Sequence, residues 1–150
     1  MKPIYKKPLF WLGALAIPIG AAILSNLKMT NVAETAPNHE DKSLLTHSYK
    51  VSGDSAAVET KIKAAISQLS TYGRSWKVTD SKREGNSATI NVEVPVVFFT
   101  DDLRVEFSQA GDEIILNARS ASRVGKSDFG ENRRHILQLL EKLDEVFKVI

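Results

Sequence analysis

The residue types best suited to chemistry lie close together near the C-terminus, in the basic segment 119–134 (RSASRVGKSDFGENRR). The segment holds five Lys and Arg side chains against two acids, a local charge of +3. Guanidinium groups, hydroxyls and the free amides of a helix N-terminus are the donors that hold phosphate or carboxylate groups in proteins. The composition therefore predicts an anion-binding loop, with the candidate donors Arg119, Ser120, Ser122, Arg123, Lys126, Ser127, Asn132 and Arg133.

The same segment also has a purely structural interpretation. Asp128 and Glu131 are three residues apart, which is the spacing of a capping box at the start of a helix. A carboxylate in that position would occupy the amides that a bound anion needs. Acids beside arginines more often form internal ion pairs than ligand sites, so this interpretation is the favoured one. In this interpretation Asp101, Asp102 and Asp128 would pair with the arginines or cap the helix, and Gly125 and Gly130 would have structural roles such as turns.

Asp101 and Asp102 are adjacent, and adjacent residues of a strand point to opposite faces of the sheet. We therefore do not expect them to form a carboxylate pair that shares one proton. An enzyme that uses either acid with Arg119 and Arg123 is the alternative function, but no nucleophile or cofactor motif accompanies it. The balance favours a protein that is not an enzyme.

The chain has no cysteine, which excludes thiol chemistry, and its three histidines leave few candidate metal ligands. Metal sites such as those for zinc need several ligands at short spacing, whereas His39, His47 and His135 are widely separated. We expect no metal and no cofactor. We also expect His135 to lie on the surface of the last helix.

An uncharged run of 19 residues, 9–27, dominates the N-terminal part of the chain. As a helix it would be about 28 Å long, close to the thickness of the hydrocarbon core of a bilayer. Three lysines precede it and no acid does, which predicts a cytoplasmic N-terminus and export of the rest. The run therefore predicts a single-pass signal-anchor in the lipid bilayer. A cleaved signal peptide, giving a secreted protein, is the alternative.

The charge of the whole chain separates into two parts. Residues 1–28 hold four lysines and no acid, so the remaining 16 basic and 18 acidic residues give −2 against the overall +2. An acidic, exported domain argues against nucleic acid as a partner. We predict three parts: a membrane anchor (1–28), a flexible tether (29–42) and an α+β domain (43–150).

The domain shows alternating apolar residues in five short stretches and helical spacing in two. Together they predict the order β-α-β-β-β-β-α, with a four- to five-stranded antiparallel sheet covered on one face by two helices. The predicted strands are 44–51, 76–83, 88–99, 103–108 and 113–120, and the predicted helices are 56–72 and 129–149. The basic segment then joins the last strand to the last helix.

One family resembles this segment closely. The pattern Arg-Ser-x-Ser-Arg-x-Gly-x-x-Asp-x-Gly-x-Asn-x-x-x-Ile runs from Arg119 to Ile136, after the acidic pair at 101 and 102. It is similar to the pattern of the domain of unknown function 1499 family. The resemblance implies a shared domain and no particular activity.

These observations together predict a membrane-anchored extracytoplasmic domain of the periplasm or lumen. We expect it to bind a small anionic or amphipathic ligand, or an envelope protein, through the segment 119–134.

Overall fold

The computed structural model describes residues 31–125 and 130–150. Within these two ranges no helix combines the length and the apolar character needed to cross a membrane. The predicted anchor, residues 9–27, lies outside the described residues, and so do Lys126, Ser127 and Asp128 of the basic segment.

The described residues form nine strands, two α-helices and one short 3-10 helix. The strands are β1 (Val32–Glu34), β2 (His47–Lys50), β3 (Ser70–Thr71), β4 (Arg74–Ser75), β5 (Lys77–Glu84), β6 (Ser87–Val96), β7 (Phe99–Ala110), β8 (Glu113–Ser122) and β9 (Lys148–Val149). The helices are α1 (Ser55–Ser67) and α2 (Glu131–Val146), and the 3-10 helix covers Lys42–Leu44.

Seven strands make one sheet in the order β5-β6-β7-β8-β2-β9, and β1 also pairs with β8. The strands β1 and β2 lie along the same edge of β8, because β1 faces residues 119–121 while β2 faces residues 113–116. The strand pairs of this sheet are antiparallel. The strands β3 and β4 form a separate small hairpin. The predicted α+β class is confirmed.

Local sequence explains where the elements begin and turn. The side chain of Asp54 accepts a hydrogen bond from the backbone amide of Ala57 at 2.9 Å, which caps the start of α1. Gly111, with a φ of 62°, makes the tight turn between β7 and β8, a backbone conformation that costs glycine least.

One face of the sheet carries the core. The alternate residues of the three long strands are buried, and the register places Ile90 opposite Val105 and Val105 opposite Ala118. Both helices pack toward this core, α1 against β5 and β6 and α2 against β8 and β1. The predicted apolar stripe of α2 is buried, as expected: Ile136, Leu140, Leu143 and Phe147.

The structure differs from the sequence prediction in the number of strands and in several boundaries. The sheet has seven strands where four to five were predicted. The predicted strand 88–99 ends at Val96, and β7 begins at Phe99 and not at residue 103. Residues 32–34, within the range predicted as a flexible tether, form β1 and pair with β8, so the folded part begins before residue 43. The elements β1, β3, β4 and β9 have two or three residues each, which is too short for an alternating pattern to identify. The first helix ends at Ser67, five residues before the predicted position 72, because the chain turns there into β3.

Candidate functional site

The two adjacent aspartates lie on opposite faces of β7. Asp101 pairs with Val94 on the core face and is 3% exposed, whereas Asp102 pairs with Glu93 on the outer face and is exposed. The predicted opposition of the two carboxylates is therefore confirmed. Each acid belongs to a different group of side chains, which are described here in turn.

Asp101 belongs to a buried polar group beneath the start of α2, which we call the inner cluster: Asp101, Ser120, Asn132 and His135. The Ser120 hydroxyl donates a hydrogen bond to Asn132 Oδ1 at 2.6 Å. His135 Nδ1 lies 3.4 Å from Ser120 Oγ and 3.5 Å from Asp101 Oδ2. Four polar side chains on three elements thus contact one another inside the core, with the Ser120–Asn132 hydrogen bond as the shortest contact among them.

The prediction that His135 lies at the surface is wrong. Its side chain is 1% exposed, and its ring meets the ring of Trp76 edge-on with centroids 5.9 Å apart. The helical phase explains this, because residue 135 is four residues before the buried Leu139. The same spacing places Asn132 four residues before Ile136. The spacing of the apolar residues of α2 is therefore the sequence signal by which these two buried polar positions could have been found.

The inner cluster contains a serine, a histidine and an aspartate, but it does not form a catalytic relay. In a relay the serine and the acid contact different ring nitrogens of the histidine. Here Ser120 and Asp101 both lie near Nδ1 of His135, and the Ser120 hydroxyl donates to Asn132. The arrangement is suited to holding α2 on the sheet.

Asn132 connects this cluster to the edge of the sheet. Its Nδ2 donates to the backbone carbonyl of Asn31 and to the hydroxyl of Ser122, each at 2.8 Å. Three of the predicted anion donors, Ser120, Ser122 and Asn132, are therefore hydrogen-bonded to one another. The donors of Ser120 and Asn132 bind the protein itself, and the Ser122 hydroxyl accepts one of these bonds.

The first turn of α2 is arranged around Glu131. Gly130 precedes the helix with a φ of 82° and makes no side-chain cap, and the predicted capping residue Asp128 lies outside the described residues. Tyr72 donates its hydroxyl proton to Glu131, and Arg134 forms an ion pair with the same carboxylate. The hydrogen bond to Glu131, together with burial, raises the pKa of Tyr72. Arg134 thus has the acidic partner that its position near a helix N-terminus requires.

Arg123 lies on the outer face of the sheet and bridges two acids. Its Nε and Nη2 donate to the carboxylate of Asp102 at 2.7 to 3.1 Å, and Nη2 also donates to Glu93 at 3.0 Å. These hydrogen bonds raise the pKa of Arg123. This is the Asp–Arg pairing that the structural interpretation of the segment predicted.

Arg133 pairs with Asp41, which lies in the range 29–42 predicted as a flexible tether. Its Nε donates to Asp41 Oδ2 at 2.7 Å, and both side chains are one-third exposed or less. Burial would raise the pKa of Asp41, but Arg133 and the amide of Ser43 outweigh it, so that this pKa lies below its ordinary value. The ion pair fixes residue 41 against α2.

Arg119 differs from the other arginines of the segment because its ion pair is long. Its Nε lies 3.7 Å from Glu34 Oε2, and both side chains are half exposed. The register places Arg104 directly opposite, and Arg104 contacts Glu106 at 3.4 Å. We call these four charged residues, together with Arg123 and its two acidic partners, the outer strip: Glu34, Glu93, Asp102, Arg104, Glu106, Arg119 and Arg123.

The part of the outer strip around Arg119 borders an open groove of about 400 Å³. Its walls are the segment from Glu34 to Pro37 and the strands β7 and β8. Arg104, Glu34 and Glu106 were not predicted as site residues. The signal for Arg104 was available, since it alternates with the apolar Leu103 and Val105 and must therefore point away from the core.

The structure thus separates the predicted site residues. Arg123 and Arg133 are held by short ion pairs, Ser120, Ser122 and Asn132 by one another, and Arg119 alone among these lines the groove. Gly125 and Gly130 both have a positive φ, of 94° and 82°, which fits their predicted structural role.

Comparison with known proteins gives one match. The family model described as "Protein of unknown function (DUF1499)" matches residues 23–143. No curated protein and no solved structure matches the chain.

Proposed function

The chain belongs to the DUF1499 family of proteins of unknown function, and from that premise we propose that it is a membrane-anchored binding module. In this proposal residues 9–27 hold the protein in the bilayer, and the domain lies on the extracytoplasmic side. The domain binds a small anionic ligand, or a carboxylate of an envelope protein, and catalyses no reaction.

The observation that carries the binding proposal is the pair of opposed arginines at the groove. Arg104 and Arg119 are cross-strand neighbours, both about half exposed. Like charges directly opposite each other on two strands are destabilising, and an anion placed between them would relieve that repulsion. Their pairs with Glu106 and Glu34 measure 3.4 and 3.7 Å, and exposed pairs of this kind are weak enough to exchange for a ligand.

The proposed site includes only one end of the predicted segment and extends beyond the segment to a neighbouring strand. The sequence suggested that the whole of 119–134 supplies the contact, whereas the geometry favours its first residue, Arg119, together with Arg104 on the next strand. The enzymatic alternative has less support, because Asp101 lies on the core face while Asp102, Arg119 and Arg123 lie on the other.

Calorimetric titration of the full chain in detergent micelles with inorganic phosphate tests the binding proposal. We expect saturable binding that weakens about tenfold or more in Arg119→Gln and in Arg104→Gln, since each loses a charge-assisted hydrogen bond. Lys82→Gln is the matched control, because it removes one positive charge from an exposed position on β5, three strands away from Arg119. Equal affinities in all four proteins, or no saturable heat, contradict the proposal.

Carbonate extraction of membranes tests the anchor separately. The full-length chain should stay in the membrane pellet at high pH. A shortened, soluble form would instead support the cleaved signal peptide and a secreted protein.

A further inference from the structure

One end of the domain collects most of its exposed apolar side chains. Nine large hydrophobic residues are exposed in the part of the chain that the structure describes, and five of them lie at this end. We call these five the apical patch: Tyr72, Val97, Phe98, Phe99 and Val124. Phe98 is 87% exposed, the largest value among the nine. Apolar groups concentrated at one end of a domain mark an interaction surface.

The patch is built on the turn between β6 and β7. Val96 pairs with Phe99, so that Val97 and Phe98 form the tip of this hairpin. The small hairpin of β3 and β4 braces the tip from the side. Thr71 Oγ1 donates to the carbonyl of Pro95 at 2.5 Å, and Arg74 Nη2 donates to the carbonyl of Val97 at 2.9 Å.

The chain enters the domain at this same end. The amide of Ser122 donates to the carbonyl of Asn31 at 2.8 Å, and Ser122 pairs with Asp101 on β7. Asn31 therefore lies level with Asp101, and β1 runs from there away from the tip. Phe98 precedes Asp101 by three residues, so it extends about 10 Å beyond the point of entry.

The number of residues between the predicted anchor and Asn31 limits how far the domain can lie from the bilayer. The anchor ends at residue 27, and three residues, 28–30, separate it from Asn31. Four steps of fully extended chain reach at most about 14 Å. Asn31 is held to the folded domain by the hydrogen bonds that its carbonyl accepts from Ser122 and Asn132. The limit of about 14 Å therefore applies to the distance between the end of the anchor and the domain.

We propose that the apical patch docks on the surface of the bilayer that holds residues 9–27, an inference that rests on the membrane anchor of the proposed function. Phe98, Phe99 and Tyr72 are the aromatic types that favour the interface between headgroups and hydrocarbon. Arg74 lies beside them, and lipid phosphate groups accept hydrogen bonds from guanidinium.

This docking also orients the groove of the outer strip. Arg104 follows Phe98 by six residues along β7, so that the opposed arginines lie about 20 Å above the tip. The groove then opens sideways above the bilayer, toward neighbouring membrane proteins. A ligand at the bilayer surface would have to move away from the membrane by at most about 20 Å to reach the groove.

The absence of cysteine from the chain permits a direct test. A single spin label is attached at Phe98→Cys and, in a second protein, at Val124→Cys. The matched control is Ala110→Cys, an exposed position at the other end of β7, 12 residues from Phe98. Each full-length protein is reconstituted in vesicles of phosphatidylcholine and phosphatidylglycerol. Flotation reports membrane retention, and collision of the label with oxygen or with a water-soluble nickel chelate reports its depth.

We expect all three proteins to float with the vesicles. The labels at 98 and 124 should collide preferentially with oxygen, as at the membrane interface, while the label at 110 should collide preferentially with the nickel chelate. Retention with all labels in water overturns the docking and leaves the anchor intact. A label at 98 that neither reagent reaches indicates a protein partner or a second copy, and this also overturns the docking. Loss of flotation overturns the anchor and the docking together.

Discussion

Asp101 and Asp102 have the same side chain and adjacent positions, yet they lie in opposite environments. Asp101 is buried in the inner cluster with Ser120 and His135, whereas Asp102 is exposed on the outer strip and pairs with Arg123. The difference follows from the two-residue repeat of a strand. It shows that the face of the sheet, more than the residue type, determines the role of a charged residue on β7.

The two groups also differ in how easily a ligand could replace their internal partners. The polar groups of the inner cluster are shielded from water, where an unsatisfied donor or acceptor is costly. The ion pairs of the outer strip are solvated, where losing a partner costs little. The inner cluster is therefore suited to holding α2 on the sheet, and the outer strip is suited to reversible binding.

The largest effect is expected from Asn132→Ala in the inner cluster. This change removes the hydrogen bonds to Ser120, Ser122 and Asn31 and should lower the free energy of unfolding by about 2 to 4 kcal/mol. Urea unfolding of the full chain in micelles, followed by far-UV circular dichroism, measures the loss. Asn91→Ala, whose amide makes a single bond of 3.5 Å to Asp80, is the control. Equal losses of unfolding free energy in the two variants would contradict the claim that the inner cluster stabilises the fold more than the polar groups of the outer face do.

An intermediate effect is expected at the half-buried pair of Asp41 and Arg133. Asp41→Asn keeps an acceptor but removes the charge, and it should cost about 1 kcal/mol at neutral pH. The folded state lowers the pKa of Asp41 from 3.8, so the stabilisation is complete above that pH and is lost as the pH falls further. The difference between the two proteins, measured by unfolding from pH 7 to pH 2.5, should shrink on acidification. A difference that does not depend on pH would show that the charge of Asp41, and hence its ion pair with Arg133, does not stabilise the fold.

The smallest effect is expected from Arg123→Gln on the outer strip. Although Arg123 makes several short hydrogen bonds to Asp102 and Glu93, its side chain is 45% exposed to solvent. The unfolding midpoint should therefore change less than in Asp41→Asn, and 1 M NaCl should abolish the change. A loss as large as that of Asn132→Ala, or one unaffected by salt, would assign Arg123 to the structural framework.

The fold class and the long elements could be predicted from the sequence, because β6, β7 and β8 alternate regularly and α2 carries an apolar stripe. The short strands could not, since β1 is held by pairing with β8 and not by a pattern of its own. Strand geometry predicts the opposition of Asp101 and Asp102 only if both lie in a strand, and the structure extends β7 over these two residues, which the sequence placed between strands.

The site was harder to predict than the fold. The partner of Arg133 is 92 residues away at Asp41, and the partner of Arg119 is at Glu34. Both acids lie in a polar stretch without apolar periodicity, so their position against the sheet depends on tertiary contacts that no local pattern encodes. The burial of His135, in contrast, is encoded locally, because residue 135 lies one helical turn before the buried Leu139.

The most direct test of the account is to map where an anion binds. Amide chemical shifts of the full chain in nanodiscs are recorded while inorganic phosphate is added. Saturable shifts should be confined to residues around Arg104, Arg119 and Glu34, and Arg119→Gln should abolish them while Lys82→Gln should not. Shifts centred on residues 131–135 at the start of α2, or no saturable shifts at all, would contradict the assignment of binding to the outer face.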